Sequence, residues 1–313
     1  MQSIITITFN PAIDKSTIVP ALQPGHKMRC SEPVFEPGGG GINVARALQK
    51  LGVEATAFYM AGSYTGLFLQ QLLQQKGIAS VAVPIREHTR ENLMVFDSAA
   101  QLQYRFVMPG PLVQEDEWHA LIEKIQEYPA ADYLVASGSL SSGIPATAFA
   151  MLARIAKKKG SRFIADTSGE PLRLALEEGV FLVKPNIREF CSLVGCPETD
   201  SNAILKYARK LVNSGKCIAL LLSQGASGAL LVTAEKALQI PAPMVKCNST
   251  VGAGDSMLAG VIAALAKGKD MENAAYYGVA CGSAAILNAG TQLCSKADAD
   301  RLLATMARNP AGI

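Results

Sequence analysis

Stretches that read as strands and stretches that read as helices alternate through most of this sequence. Glu54 to Met60 reads as a strand, Leu67 to Lys76 as a helix and Ser80 to Ile85 as a strand. A helix at Glu115 to Gln126, a strand at Tyr133 to Ser137, a helix at Ala146 to Lys159 and a strand at Phe163 to Asp166 repeat the pattern. Parallel strands need long crossovers, usually helices, so the alternation predicts an α/β fold whose mostly parallel sheet carries helices on both faces. Ligands of such sheets lie beyond the carboxyl ends of the strands. Asp14, Ser139, Asp166, Lys184 and Ser223 fall at or just past predicted strand ends and so are expected on one rim. Four other β-rich runs need not belong to that sheet: the alternating residues before Val19, Met28 to Phe35, Asn92 to Asp97, and Leu102 to Val107. No repeat, low-complexity tract or linker interrupts the chain, which is read as one domain over residues 1–313.

Composition narrows the function classes. The formal net charge is only +3 and the basic residues are scattered, apart from Lys157-Lys158-Lys159 at a predicted helix end, which argues against nucleic acid as a partner. The seven cysteines are widely spaced with no C-x-x-C pair, as expected for free thiols in a reducing cytoplasm. No apolar run reaches the roughly 20 residues that span a bilayer and the N-terminus lacks the marks of a signal peptide, so the expectation is a cytoplasmic protein without membrane contact. His26, His88 and His119 have neither metal-ligand nor triad spacing, and Trp118 reads as a helix packing residue.

The chemistry concentrates in Asn248-Ser249-Thr250-Val251-Gly252-Ala253-Gly254-Asp255-Ser256, followed by an apolar, Ala-rich run. Small residues opening a helix expose unsatisfied N–H groups, which suit a phosphate. Asp255 would repel such an anion unless a base is required beside the phosphate being transferred, so the combination implies phosphoryl transfer to a hydroxyl. Its other reading is a simple helix cap. Gly38-Gly39-Gly40-Gly41 lacks the third glycine of a dinucleotide fingerprint, and no P-loop is present. Four glycines still allow close backbone approach to a ligand, and Asn43 offers a donor and an acceptor. Asn186 and Glu189 share a helix face and either organise hydrated Mg²⁺ or form a capping box. Gly225 and Gly228, after Ser223, either close a hairpin or admit a nucleotide.

The Gly38 to Ala45 segment and the Gly252-Ala-Gly-Asp255 turn resemble the two fingerprints of the ribokinase-like PfkB family of carbohydrate kinases, in the same order, and the resemblance extends along nearly the whole chain. The segments Pro33 to Arg46, Gln103 to Gly110 and Ser249 to Met257 most resemble its 6-phosphofructokinase branch. The resemblance implies a ribokinase-like fold in which segments of about 13–20, 28–36 and 91–108 form a small β-sheet lid over the sugar site, often the interface of a homodimer. It further implies ATP-dependent phosphorylation of a sugar phosphate, fructose 6-phosphate first of all. Asp255 would be the base and Gly252, Ala253 and Gly254 the phosphoryl-stabilising turn. Asp14, Gly38, Gly39, Asn43 and Ser139 would hold the sugar, with Lys27, Arg29 and above all Arg90 on its phosphate. Lys184, Asn186, Ser223, Gly225, Gly228 and Asn248 would line the ATP site, and Glu189 would hold Mg²⁺ through water. Ser249, Val251, Ala285, Asn288, Gly290 and Gln292 would supply oxygens to K⁺, although Gln292 departs from the Arg expected there. Asn10-Pro-Ala-Ile-Asp14 resembles 1-phosphofructokinases and tagatose-6-phosphate kinases equally well, and a sugar-phosphate sensor without activity is the alternative of a different class.

Overall fold

The computed structural model describes residues 2–288 and 290–306. Strands β1 (Ile4–Thr8), β2 (Ala12–Val19) and β3 (Val34–Gly38) precede helix α1 (Gly40–Lys50), and β4 (Thr56–Gly62), α2 (Ser63–Gln75), β5 (Ser80–Ile85), β6 (Arg90–Asp97) and β7 (Leu102–Phe106) follow. Next come α3 (Glu115–Glu127), β8 (Tyr133–Ser137), α4 (Ala148–Lys159), β9 (Arg162–Asp166), α5 (Gly169–Glu178), β10 (Val180–Val183), α6 (Ile187–Val194) and α7 (Ser201–Asn213). The last elements described are β11 (Cys217–Ser223), β12 (Ala229–Thr233), β13 (Ala237–Ile240), α8 (Ala253–Ala266), α9 (Met271–Ala285) and α10 (Lys296–Thr305).

Nine strands form one sheet in the order β13-β12-β11-β10-β9-β8-β1-β4-β5. All of its pairs are parallel except β11–β12 and β12–β13. A strand buried on both faces sends alternate side chains into two cores. Leu134 and Ala136 of β8 accordingly join the core under α3–α7, while Tyr133 and Val135 join the one under α1 and α8–α10. The expected α/β architecture is present.

Helix α8 is buried from Ser256 through Leu265, which explains why its sequence carries no polar stripe. Gly260 lets it lie against α9: a Cβ there would stand 2.7 Å from Cys281 Sγ and 3.0 Å from Gly278 Cα. Each buried Leu, Ile or Val of the pair contributes roughly 1.5–3 kcal/mol, so the axis of α8, and with it its N-terminus, is held firmly.

The remaining strands form a second sheet, β3-β2-β6-β7. Its register sets Asp14 beside Asn92, and Met94 beside Arg105. With a period of two, Asp14, Asn92 and Arg105 therefore share one face, and Leu93, Tyr104 and Phe106 the other. Leu102, Tyr104 and Phe106 are exposed.

Two expectations are corrected here. The strand expected from Met28 begins only at Val34, because Pro33 has no N–H to give a ladder and Ser31 substitutes for one. Its N–H donates to Ile18 O (2.9 Å), its hydroxyl accepts from Ile18 N (3.0 Å), and its carbonyl accepts from Thr17 Oγ1 (2.9 Å). Asp14 lies inside β2 of the smaller sheet rather than at an end of a central strand. The cysteines of the described residues are free, Trp118 is buried, and no helix among those residues is long and apolar enough to cross a membrane.

Candidate active site

A cavity of about 560 Å³ opens at the carboxyl ends of β8, β9 and β10, lined by Ser139, Asp166, Lys184, Ser223 and the first turn of α8 with Asp255. That turn lacks the side-chain cap that four other helices of the chain carry. Asn186, Asp200, Asp270 and Ser295 cap α6, α7, α9 and α10 through their side chains, whereas α8 begins at Gly252 with no side-chain cap. Gly252 sits at φ 74, and a Cβ there would meet Leu293 Cδ2 at 2.7 Å. Only glycine suits a left-handed residue so crowded. Apart from Ala253 N, which reaches Thr250 O at 3.5 Å, the N–H groups of the first turn are thus left for an anion.

Asp255 is not the cap of its helix. Its Oδ2 accepts from Asn43 Nδ2 at 2.9 Å, across 212 residues of sequence. Removal from water pushes this carboxyl up to about 6, with repulsion from Asp166 adding to the effect and the Asn43 hydrogen bond and Lys184 opposing it. Asp14 contributes a further, smaller repulsion. A carboxyl poised near neutrality can accept a hydroxyl proton and still be ionised when the substrate arrives. Lys184 is 6% exposed and pairs with Asp166 at 3.2 Å, while Ser137 Oγ donates to the other Asp166 oxygen at 3.1 Å. Burial alone would lower the lysine, but Asp166, Asp255 and Glu189 together hold it charged.

The glycines of the tetraglycine have separate tasks. A Cβ on Gly38 would stand 2.2 Å from Asp14 Oδ2, and one on Gly40 would stand 2.8 Å from Gly138 N, so neither position has room for a side chain. Gly39 has a φ of 110 and Gly41 would meet Ile7 O at 2.4 Å. Asp14 is buried, accepts from Asn92 Nδ2 at 2.8 Å, and is raised by desolvation despite that bond. Asn10 Nδ2 donates to Ser139 Oγ at 3.1 Å, which ties the start of β2 to the cleft. Arg90 is half-buried and donates to the carbonyls of Pro11, Met108 and Asn10. Among the described residues it pairs with no carboxylate.

Of the other expected site residues, Asn186 and Glu189 line this cavity and the rest lie outside its lining. Lys27 and Arg29 stand on the exposed 20–33 loop. Asn186 and Glu189 form the capping box, Asn186 Oδ1 accepting from Glu189 N at 2.8 Å and Glu189 Oε2 from Asn186 N at 2.9 Å, with both side chains at the cavity's edge. Gly225 and Gly228 close the turn between antiparallel β11 and β12, where a Cβ on Gly228 would stand 2.0 Å from Ile240 O. Asn248 donates to Leu287 O and Ser249 Oγ to Gly290 O at 2.8 Å, so the 248–251 and 285–292 segments meet. Asn288 N donates to Ala285 O at 3.1 Å, Val251 is buried, and Gln292 is exposed. Sequence reasoning did not single out Arg46, Asn92 or Arg105. The signal for Arg46 was a cation three residues after Asn43 on a helix face that is otherwise apolar.

The sequence profile of the pfkB family of carbohydrate kinases matches residues 4–298. The ATP-dependent 6-phosphofructokinase isozyme 2 of Escherichia coli (strain K12) is 45% identical over 309 residues, covering 98% of this chain and 100% of the relative. The crystal structure of phosphofructokinase-2 from E. coli with potassium superposes with a TM-score of 0.94 at 45% identity, covering 97% of this chain and 99% of that one. Its complex with fructose-6-phosphate gives 0.93 at 43% identity, covering 98% and 100%. The chain belongs to the pfkB family of carbohydrate kinases.

Proposed function

We propose that this chain is an ATP-dependent 6-phosphofructokinase, which moves the γ-phosphoryl group of ATP to the free primary hydroxyl of fructose 6-phosphate and yields fructose 1,6-bisphosphate. The observation that carries the reading is Asp255, a carboxyl titrating near 6 beside the uncapped start of α8. Asp255 takes the hydroxyl proton as the oxygen attacks phosphorus. The Gly252-Ala253-Gly254 amides then meet charge gathering on the transferred group. Lys184, kept charged by Asp166, faces the nucleotide phosphates, with Asn186, Ser223 and the Gly225–Gly228 turn along the same side. Asp14 and Asn43 hold sugar hydroxyls, Gly38 and Gly39 leave room for them, and Arg90 holds the distal phosphate.

Two ions fit the donors present. Among the described residues no three His, Cys, Asp or Glu side chains cluster as a cage. That suits Mg²⁺ carried by phosphates and water, for which Glu189 presents its remaining oxygen. An Mg²⁺ ion held there would supply neutralisation of phosphate charge. The hydroxyl of Ser249 and the backbone oxygens of Val251, Ala285, Asn288 and Gly290 are neutral, hard donors of the kind a monovalent cation takes, which supports a K⁺ site, with Asn248 bracing that loop. An exposed Gln292 adds nothing to it.

The test is ADP release, coupled to a reporter, with fructose 6-phosphate, fructose 1-phosphate, tagatose 6-phosphate and fructose as acceptors. The expected order puts fructose 6-phosphate first by at least about tenfold in kcat/KM; a wrong acceptor leaves charged groups unpaired. Equal values for fructose and fructose 6-phosphate overturn the acceptor assignment. The pH profile follows from Asp255: its ionised form is the active one, so kcat/KM for ATP at saturating sugar phosphate should be flat above about 6 and fall about tenfold per unit below it. The second ionisation of a phosphate monoester lies near the same pH. A limb due to the substrate would persist in Asp255→Asn, whereas one due to Asp255 would vanish from its residual rate.

The exposed Leu102, Tyr104 and Phe106 of the smaller sheet support a homodimer formed through that lid, with Lys27 and Arg29 on the adjoining loop. Sedimentation at micromolar concentration should show a dimer, and Phe106→Asp should shift it towards monomer; a fully active monomeric wild type overturns the assignment.

A further inference from the structure

The carboxylate of Asp255 sits at one end of a chain of side-chain hydrogen bonds. Asn43 donates through Nδ2 to Asp255 Oδ2 and accepts at Oδ1 from Arg46 Nη1 at 3.1 Å, one turn along α1. The two ends of an amide have the same shape and opposite chemistry; a guanidinium has only donors. Arg46 therefore faces the oxygen end and leaves the NH₂ end for Asp255. Arg46 is 5% exposed and is itself fixed by Pro37 O (2.7 Å) and Glu36 Oε1 (2.8 Å). Glu36 is buried and takes Lys76 Nζ at 3.4 Å on the same oxygen, and the Thr291 hydroxyl on the other. Glu36 belongs to β3, Arg46 to α1, and Thr291 to the segment between α9 and α10, so three separate segments of the fold meet in one chain of charge-assisted bonds ending at Asp255. The other charged groups facing that carboxylate are Asp166 at the end of β9, Lys184 after β10 and Asp14 on β2.

We propose that Arg46, Glu36 and Thr291 are positioning residues for phosphoryl transfer: they fix the amide of Asn43, and through it the Asp255 carboxylate, and make that orientation depend on the lid strand β3 and on the position of Thr291 between α9 and α10. The proposal rests on the kinase reading above. Its physical content is that kcat depends on where the base sits, a small misplacement of which costs orders of magnitude, while Glu36, Arg46 and Thr291 are not among the residues lining the cavity.

The experiment is a double-mutant cycle on the full chain. Arg46→Lys keeps the charge but cannot fork between Asn43, Pro37 and Glu36, and Thr291→Val removes one hydroxyl at nearly constant volume. In the wild-type background, Arg46→Lys is expected to lower kcat about thirtyfold and Thr291→Val about threefold, with KM for ATP unchanged within about twofold. In an Asn43→Ala background neither should lower kcat further, because the amide through which they act is gone. A structural role would instead reduce kcat by the same factor in both backgrounds and follow the melting temperature, and that result overturns the proposal, as does an unchanged kcat in both single variants. Should Arg46→Lys fail to fold, Thr291→Val and Glu36→Gln carry the same cycle. A wild-type chain that releases no ADP with fructose 6-phosphate overturns the kinase reading as well, whereas an active wild type with additive losses overturns the positioning alone.

Discussion

Replacing Asp255 by Asn is expected to lower kcat by roughly 10² to 10⁴, the usual loss when a general base is removed, and at the same time to make the protein more stable near neutral pH. The amide keeps the volume, and its oxygen can still accept from Asn43 Nδ2, so the packing of α8 survives. It cannot take a proton from the sugar hydroxyl. The stability change follows from the same burial that tunes the base. The carboxyl titrates at about 6 in the fold against 3.8 for the free side chain. Its contribution to stability is therefore present in full below 3.8 and is lost as the pH rises through 6, up to about 3 kcal/mol by linkage. At pH 8 the ionised Asp255 is a burden on the fold that the Asn variant lacks; near pH 4 the two should converge. Denaturant titrations at both pH values, with single-turnover kinetics on the same preparations, measure the two effects. Less than tenfold loss in the chemical step would remove Asp255 from catalysis. A variant less stable than wild type at pH 8 would show that the carboxylate braces the turn.

The parts of the fold that could be read from the sequence are those whose signal is local. Strand β8 was legible to the residue because Tyr133–Ser137 is a short apolar run between polar punctuation, and its burial on both faces is what such a run means in a parallel sheet. Helix α2 was legible only from Leu67, four residues late, since Ser63 to Gly66 has weak helix propensity. There the fold decides: a Cβ on Gly66 would stand 2.8 Å from the Ala61 backbone, so the first turn is held by contact with β4. The misread strand after Met28 has the reverse cause. Its apolar residues look like a strand, but Pro33 withholds the N–H and Ser31 satisfies the edge of β2 from a loop.

Residues of the candidate site divide in the same way. The Gly38–Gly41 and Gly252–Asp255 turns were legible because their chemistry is carried by neighbours in sequence. The arrangement around them was not. Asp166 and Lys184 were expected on the rim, but their ion pair, like the Asp14–Asn92 bond across the smaller sheet, is a product of strand order and register. Arg105 has no local mark at all, since an arginine on an exposed β-strand is ordinary, and only its register beside Met94 turns it to the Asp14 face. The Glu36–Arg46–Thr291 chain spans 255 residues between its ends and could not be seen in any window of sequence.

Arg90→Ala is expected to raise KM for fructose 6-phosphate by about 10² to 10³ while KM for ATP stays within about threefold, as loss of one or two charge-assisted hydrogen bonds would do. The argument starts from counting donors. A guanidinium has five N–H groups, and the structure occupies three, through Pro11 O at 3.4 Å, Met108 O at 3.1 Å and Asn10 O at 3.0 Å. Two remain, enough for a phosphate's two oxygens. Burial pulls the group below the usual arginine range and Asp14 pushes it back, yet a guanidinium stays charged across any working pH. A half-buried cation held only by carbonyls is a place prepared for an anion. Two of those carbonyls, of Asn10 and Pro11, make Arg90 a brace for the start of β2, so Ala also loosens that segment. Fructose without phosphate separates the two roles. If Arg90 binds phosphate, kcat/KM in Arg90→Ala should fall far less for fructose than for fructose 6-phosphate, and Arg90→Lys, which keeps the charge but not the fork, should recover part of the affinity for the phosphorylated sugar. If Arg90 only braces the backbone, both sugars should lose kcat/KM by the same factor, and the assignment of the phosphate to this end of the cleft fails with it.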